Sequence, residues 1–190
     1  MRAPHPIETR SYAILRSRVD TAHLPRLTRA VVERVIHASA DLDYASDLVV
    51  SGEDDLRAAH AALAAGAPIV ADVEMVAAGI TSRRAVCRIG AAVAAGGSTR
   101  AAAAVRLAYR EVGPAAVWVV GSAPTALAEL LHLDARPALV VGLPVGFVGA
   151  VEAKQALRES GLPAVSNRSE KGGSAVAAAA VNALLYPEVP

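Results

Sequence analysis

From Pro68 onward the chain alternates short apolar runs, unbroken in Val117 to Val120 and Leu139 to Val141, with longer stretches whose apolar residues recur every three or four positions. The runs Ile69 to Val73, Ala85 to Ile89, Ala115 to Val120, Ala138 to Leu143 and Ala164 to Ser166 predict strands. Runs without a polar alternate are expected of strands buried on both faces, as in a parallel sheet. Helices are predicted over Thr99 to Glu111, Thr125 to Leu131, Gly149 to Ser160 and Ser174 to Leu185. Helical stretches stop at a glycine with a proline just beyond in Gly66-Ala-Pro68, Gly113-Pro114 and Gly161-Leu-Pro163. The glycine suits the left-handed position after a helix, and the proline cannot continue it. Strands alternating with helices at this spacing imply βαβ crossovers, and therefore an α/β fold whose parallel sheet is covered on both faces.

The first third of the chain is less regular. An arm to about Arg10 leads into Ser11-Tyr-Ala-Ile-Leu15, which could open a helix or form a short strand. Asp20 or Thr21 is a candidate cap for a helix to about Ala38, with Leu24, Leu27, Val31, Val32, Val35 and Ile36 as its apolar face. Ser51 and Asp54 resemble a capping box for a helix from Asp54 to Ala65, stopping at Gly66. On the earlier helix His37 falls nearly opposite the apolar face, with Arg34 on the same side and Glu33 one turn back. A histidine so placed is solvated unless something outside its helix covers it, and a second subunit is the natural candidate.

Two β-branched runs, Val117 to Val120 and Leu139 to Val141, end at Gly121 and Gly142, and a helical pattern follows each. In open α/β sheets the carboxyl ends of strands are where ligands bind. Arg100 falls in the first turn of a predicted helix, where a cation opposes the helix dipole; a ligand or a salt bridge would account for it equally. Asp72 and Glu74 sit at the carboxyl end of a predicted buried strand, and Asp72 could cap a helix there.

Composition narrows the field. Length, 190 residues, suits one domain spanning 1–190, and a net charge of +1 gives no reason to expect a nucleic-acid partner. No apolar stretch reaches the roughly 18 residues a membrane span requires, and the N-terminus has no signal-peptide core. A soluble, cytoplasmic protein is expected. Of the 19 basic residues only Lys154 and Lys171 are lysines; genome composition explains that, as does planar recognition of carboxylates or phosphates. The lone Cys87 lies in an apolar run and is expected to be buried. The five histidines show no paired spacing, and no Cys-x-x-Cys or phosphate-binding glycine motif is present, so no metal or cofactor is expected.

Taken together, the chain resembles the precorrin-8 methylmutase family of corrin biosynthesis along nearly its whole length. The stretches that carry the resemblance are Ser11-Tyr-Ala-Ile, Arg34-Val-Ile-His37-Ala, Ala65-Gly-Ala-Pro-Ile69 with Asp72-Val-Glu-Met-Val76, and Ser98-Thr-Arg100. Gly121-Ser-Ala-Pro-Thr-Ala-Leu127, Gly142-Leu-Pro-Val-Gly-Phe-Val-Gly149 with Glu152-Ala-Lys154, and Gly172-Gly-Ser174 with Asn182-Ala-Leu complete it. The resemblance implies a three-layer α/β/α domain with a mainly parallel, Rossmann-like sheet of about five strands. It implies an isomerase that moves a methyl group from C-11 to C-12 of a tetrapyrrole, precorrin-8 or cobalt-precorrin-8, by a sigmatropic shift. The product is hydrogenobyrinate or its cobalt counterpart.

By the same resemblance the enzyme is a homodimer with its site near the subunit interface. His37 would be proton donor and acceptor, Ser11 and Arg34 would contact substrate, and Arg100 is a further substrate-site candidate. Such a shift needs no redox cofactor and no nucleophile, only a conjugated system biased by protonation or hydrogen bonding. The macrocycle bears several carboxylates, so arginines and exposed backbone N–H groups are the expected partners. Gly121, Ser122 and the Gly142-to-Gly149 turn, including Gly146, are expected to form the floor and carboxylate cradle beneath it. The chain departs from the family pattern at Ser98 and Ser122, where asparagine is common, and in a short segment between Gly79 and Thr99. Those serines motivate a competing reading, a non-catalytic tetrapyrrole-binding or product-sequestering protein on the same scaffold.

Overall fold

Successive side chains of a strand point to opposite faces. This rule divides the apolar runs between two cores in the computed structural model, which describes residues 5–187. The strands are β1 (Leu48–Val50), β2 (Ile69–Ala71), β3 (Val86–Cys87), β4 (Val117–Val120), β5 (Leu139–Gly142) and β6 (Ala164–Asn167). In β4, Val117 and Val119 join one core while Trp118 and Val120 join the other; in β5, Leu139 and Val141 oppose Val140. Burial on both faces is why these runs carry no polar alternate.

The helices are α1 (Pro6–Arg18), α2 (Arg26–Ser39), α3 (Tyr44–Asp47), α4 (Glu53–Ala64), α5 (Glu74–Gly79), α6 (Arg100–Val112), α7 (Pro124–His132), α8 (Ala150–Glu159) and α9 (Ser174–Leu185). Residues of α2, α4, α5 and α9 fill the first core, and residues of α6, α7 and α8 fill the second. The architecture is the expected three-layer α/β/α. Helix α9 is buried from Val176 to Leu184, and its alanines let it lie between α2 and the sheet.

Among the described residues the sheet has six strands, in the order β1-β6-β5-β4-β2-β3. All pairs are parallel except β1 with β6. The extra strand, β1, has three residues behind a single turn of helix, too short for either periodicity to show in the sequence. Because β2 and β4 are neighbours while α5 and α7 lie on opposite faces, the crevice at their carboxyl ends is the switch point of the sheet.

Several boundaries differ from expectation for identifiable reasons. Helix α1 starts at Pro6, with His5 Nδ1 accepting from Ile7 N–H; Ser11 is therefore mid-helix, and the expected arm is shorter. Helix α2 starts at Arg26, later than Asp20 or Thr21, and its first N–H groups, Leu27 and Thr28, are capped by the distant Glu53 carboxylate. Ser51 makes no capping box: its Oγ accepts from Ala164 N–H and extends the β1–β6 pairing. Cys87 is half-buried on the edge strand, and burial pushes its thiol up. The expected domain limits, 1 and 190, lie outside the described residues.

Candidate active site

His37 sits in the last turn of α2, exposed at the rim of the sheet's carboxyl edge. The placement follows from Lys171, just past β6, which bridges Asp41 and Asp43 immediately beyond α2. The polar face of α2 is covered by α1 of the same chain. Ser11 Oγ lies 2.8 Å from His37 Nδ1. The Tyr12 ring stacks on the imidazole, with centroids 4.9 Å apart and planes 10° from parallel. Nε2 makes no hydrogen bond among the described residues. It is the ring nitrogen left for an incoming group.

One turn back, Glu33 is fully buried rather than solvated. Its carboxylate accepts from Arg16, Arg29 and Thr21. Burial would raise the Glu33 carboxyl, but these donors outweigh it and hold the group below its ordinary range. Glu33 therefore anchors α1 to α2 and is not a solvated neighbour of the histidine. Arg34 is mostly buried, its Nε has no partner, and its nearest acid is Glu8 at 3.9 Å. That separation is a loose ion pair and leaves the guanidinium with donors to spare.

Burial pushes the phenols of Tyr12 and Tyr44 up to about 12, from 10.0. An unfolded chain would release those protons first, so the stability they contribute is complete below pH 10 and lost as pH rises through 12. The free energy of unfolding is expected to fall over that interval by about 2 to 3 kcal/mol per phenol. Urea titrations at stepped pH check this, and Tyr12→Phe should remove roughly half of the fall.

The glycine turns do different work from that expected. The Asp72 carboxylate, at the end of β2, accepts from the backbone N–H groups of Gly121, Ser122 and Ala123. Burial pushes this carboxyl up while the three donors pull it down. The chain's own Asp72 carboxyl group thus occupies the switch-point crevice, and the Gly121 and Ser122 N–H groups predicted to cradle substrate carboxylates are already engaged. A side chain at Gly121 would lie 2.8 Å from Ala177 Cβ and 2.9 Å from Ser174 Cα, so this glycine lets α9 approach β4. Gly146 N–H donates to Glu170 carbonyl, and Gly173 N–H to Leu143 carbonyl, tying the two loops together. What the β5 loop presents outward is apolar: Phe147 is 96% and Val148 89% exposed.

Ser122 and Arg100 are both exposed. Arg100 opens α6 beside α7, whose start is tied to it by Thr99 Oγ1 at 2.8 Å from Thr125 Oγ1. No described residue pairs with Arg100. Its layer is the one opposite α2, so a single chain groups Ser11, Arg34 and His37 but not Arg100 with them. Ser98 Oγ accepts from Arg106 at 2.8 Å. Among the described residues no cluster of three His, Cys, Asp or Glu side chains is placed to hold a metal ion, and no helix is long and apolar enough to cross a membrane.

A further polar centre lies behind the β6 loop. Lys154 is fully buried, and its ammonium donates to Asn167 Oδ1 at 2.9 Å, to the Lys171 carbonyl at 2.8 Å and to the Ser169 carbonyl. Asp47 accepts from Asn167 Nδ2 and from the Arg168 and Ser169 N–H groups. Burial pushes the Lys154 ammonium down to about 8. The sequence held a signal for this residue: Ala150, Ala153, Lys154 and Leu157 share one buried helical stripe, and a lysine there must find acceptors.

The chain and its three-layer scaffold have counterparts among known proteins. The family model for precorrin-8X methylmutase (CbiC) matches residues 6–187. A precorrin-8X methylmutase of Pseudomonas aeruginosa is 43% identical, over 94% of this chain and 93% of its own. A cobalt-precorrin-8 methylmutase of Salmonella typhimurium is 39% identical, over 96% of this chain and 95% of its own. The crystal structure of precorrin-8X methylmutase from Thermus thermophilus superposes with a TM-score of 0.84 at 35% identity, covering 95% of this chain and 96% of that one. With a match running from the first helix to the last, this chain belongs to the precorrin-8X methylmutase family.

Proposed function

We propose that this chain catalyses the methylmutase reaction of cobalamin biosynthesis, moving the methyl group of precorrin-8, or cobalt-precorrin-8, from C-11 to C-12. His37 is its proton donor and acceptor. The observation that carries the residue assignment is the Ser11–His37–Tyr12 arrangement, which engages Nδ1 and one ring face and leaves Nε2 open. A methyl migration within one conjugated system has no net redox change. It is accelerated by a proton delivered to, or shared with, a ring nitrogen, a general-acid effect of about 10²- to 10⁴-fold. Ser11 holds the imidazole and reaches the substrate's edge. Arg34, with an unpartnered Nε, and Arg100, without a partner, meet carboxylates of the macrocycle. Ser122 offers a hydroxyl from the β4 turn, and the turn at Gly146 carries the apolar Phe147 and Val148 toward the macrocycle's flat face.

The working enzyme is a homodimer in the cytoplasm. Support for the dimer comes from the exposure of His37 and of Phe147, and from Arg100 lying in the layer opposite His37. A large planar substrate also needs a cleft wider than one such rim.

The test is to mix purified protein with precorrin-8X, and separately with cobalt-precorrin-8. The visible chromophore is then followed, and the migrated methyl located by carbon-13 NMR. Conversion with the signal at C-12 is expected. Tight binding of both compounds without conversion would leave a sequestering protein and overturn the catalytic reading.

A further inference from the structure

The position of an acid–base group depends on what fixes its ring, and Ser11 alone does not. A single hydrogen bond at Nδ1 leaves the imidazole free to swing about the Oγ–Nδ1 line. The second constraint is Tyr12. Residues 11 and 12 are adjacent on α1, so their side chains leave the helix about 100° apart. One therefore meets the edge of the imidazole and the other its face. Tyr12 is 0% exposed and cannot shift toward solvent. The Arg16 guanidinium carbon lies over its ring, 5.6 Å from the centroid, and Arg16 in turn binds buried Glu33. Arg16 is four residues after Tyr12, and Glu33 four before His37, so the contacts close a ring between the two helices.

We propose that Tyr12 is a positioning residue for His37: its stacked face and the Ser11 hydrogen bond together hold the imidazole in one plane with Nε2 aimed at the substrate. The proposal rests on the acid–base reading of His37. The aromatic face carries this role, and the phenol hydroxyl does not, since it is buried without a hydrogen-bond partner. The arrangement positions the imidazole through flat, directional contact of the kind aromatic pairs provide.

Wild type, Tyr12→Phe, Tyr12→Leu and His37→Ala are compared in the precorrin-8X conversion assay and by NMR of the histidine ring protons. The His37 signals are identified by their absence from His37→Ala. Wild type and Tyr12→Phe are expected to share upfield ring-current shifts at His37 and the same kcat. Tyr12→Leu is expected to lose the shift and to lower kcat about 10- to 100-fold with KM unchanged, as for a misaimed catalytic group. Tyr12→Leu with wild-type kcat would overturn the proposal, as would equal losses in Tyr12→Phe, which would give the role to the hydroxyl. Absence of the upfield shift in wild type overturns it even if Tyr12→Leu does not fold. If His37→Ala converts substrate normally, the acid–base reading itself fails. If His37→Ala is slow and Tyr12→Leu is fast, only the role of Tyr12 falls.

Discussion

Lys154→Met is expected to destabilise the protein by about 1 to 3 kcal/mol, although the substitution removes a charge from the interior and keeps the side-chain volume. The ammonium is matched to its surroundings: three donors meet Asn167 Oδ1 and the carbonyls of Ser169 and Lys171. Methionine leaves Asn167 Oδ1 turned inward without its donor, while the Ser169 and Lys171 carbonyls keep only Asn167 Nδ2, and a buried, unsatisfied group costs about 1–3 kcal/mol. Part of that is recovered if the loop opens to water. Opening has consequences at the site, because Lys171 ties the loop to Asp41 and Asp43 beyond His37, and Gly173 ties it to Leu143. The urea midpoint should fall and activity should fall with it. A variant as stable as wild type would show that the buried lysine does not hold the loop.

His37→Ala is expected to lower kcat by about 10²- to 10⁴-fold, the range for removing a general acid–base group. KM should change little, because the charges proposed to meet the macrocycle, Arg34 and Arg100, are untouched and His37 is proposed to contribute one ring nitrogen to a large ligand. Stability should be unaffected within about 1 kcal/mol, the usual limit for an exposed side chain outside the core. Ser11→Ala retains the imidazole and loses one of its two constraints, so its kcat is expected between those of wild type and His37→Ala. This ordering separates positioning from proton transfer. Equal kcat in wild type and His37→Ala would remove the histidine from the reaction.

The five strands and most helices from Pro68 onward were legible because burial produces short apolar runs, unbroken in β4 and β5, and glycine–proline pairs punctuate them. Helix Ser174–Leu185 coincides with its predicted limits. The first third was harder to read for physical reasons. The cap of α2 is a glutamate from position 53, and β1 is a three-residue edge; neither leaves a local pattern. The same limit applies to the site. His37 and Arg34 could be picked out by helical periodicity, but the cover over them is α1, which reaches them through folding rather than through spacing. The backbone N–H groups of Gly121, Ser122 and Gly146 looked available because their partners, Asp72 and the Glu170 carbonyl, come from distant parts of the chain. Glu33 was legible as the neighbour one turn before His37, whereas its pairing with Arg16 and Arg29 and its full burial were not.

The most direct test of His37 as the proton-transferring group is a single turnover with enzyme in excess over precorrin-8X, followed by rapid-mixing absorbance. Wild type and His37→Ala are expected to show the same binding phase, with the conversion phase slowed at least about hundredfold in the variant. Conversion at the same rate in both proteins would contradict the account.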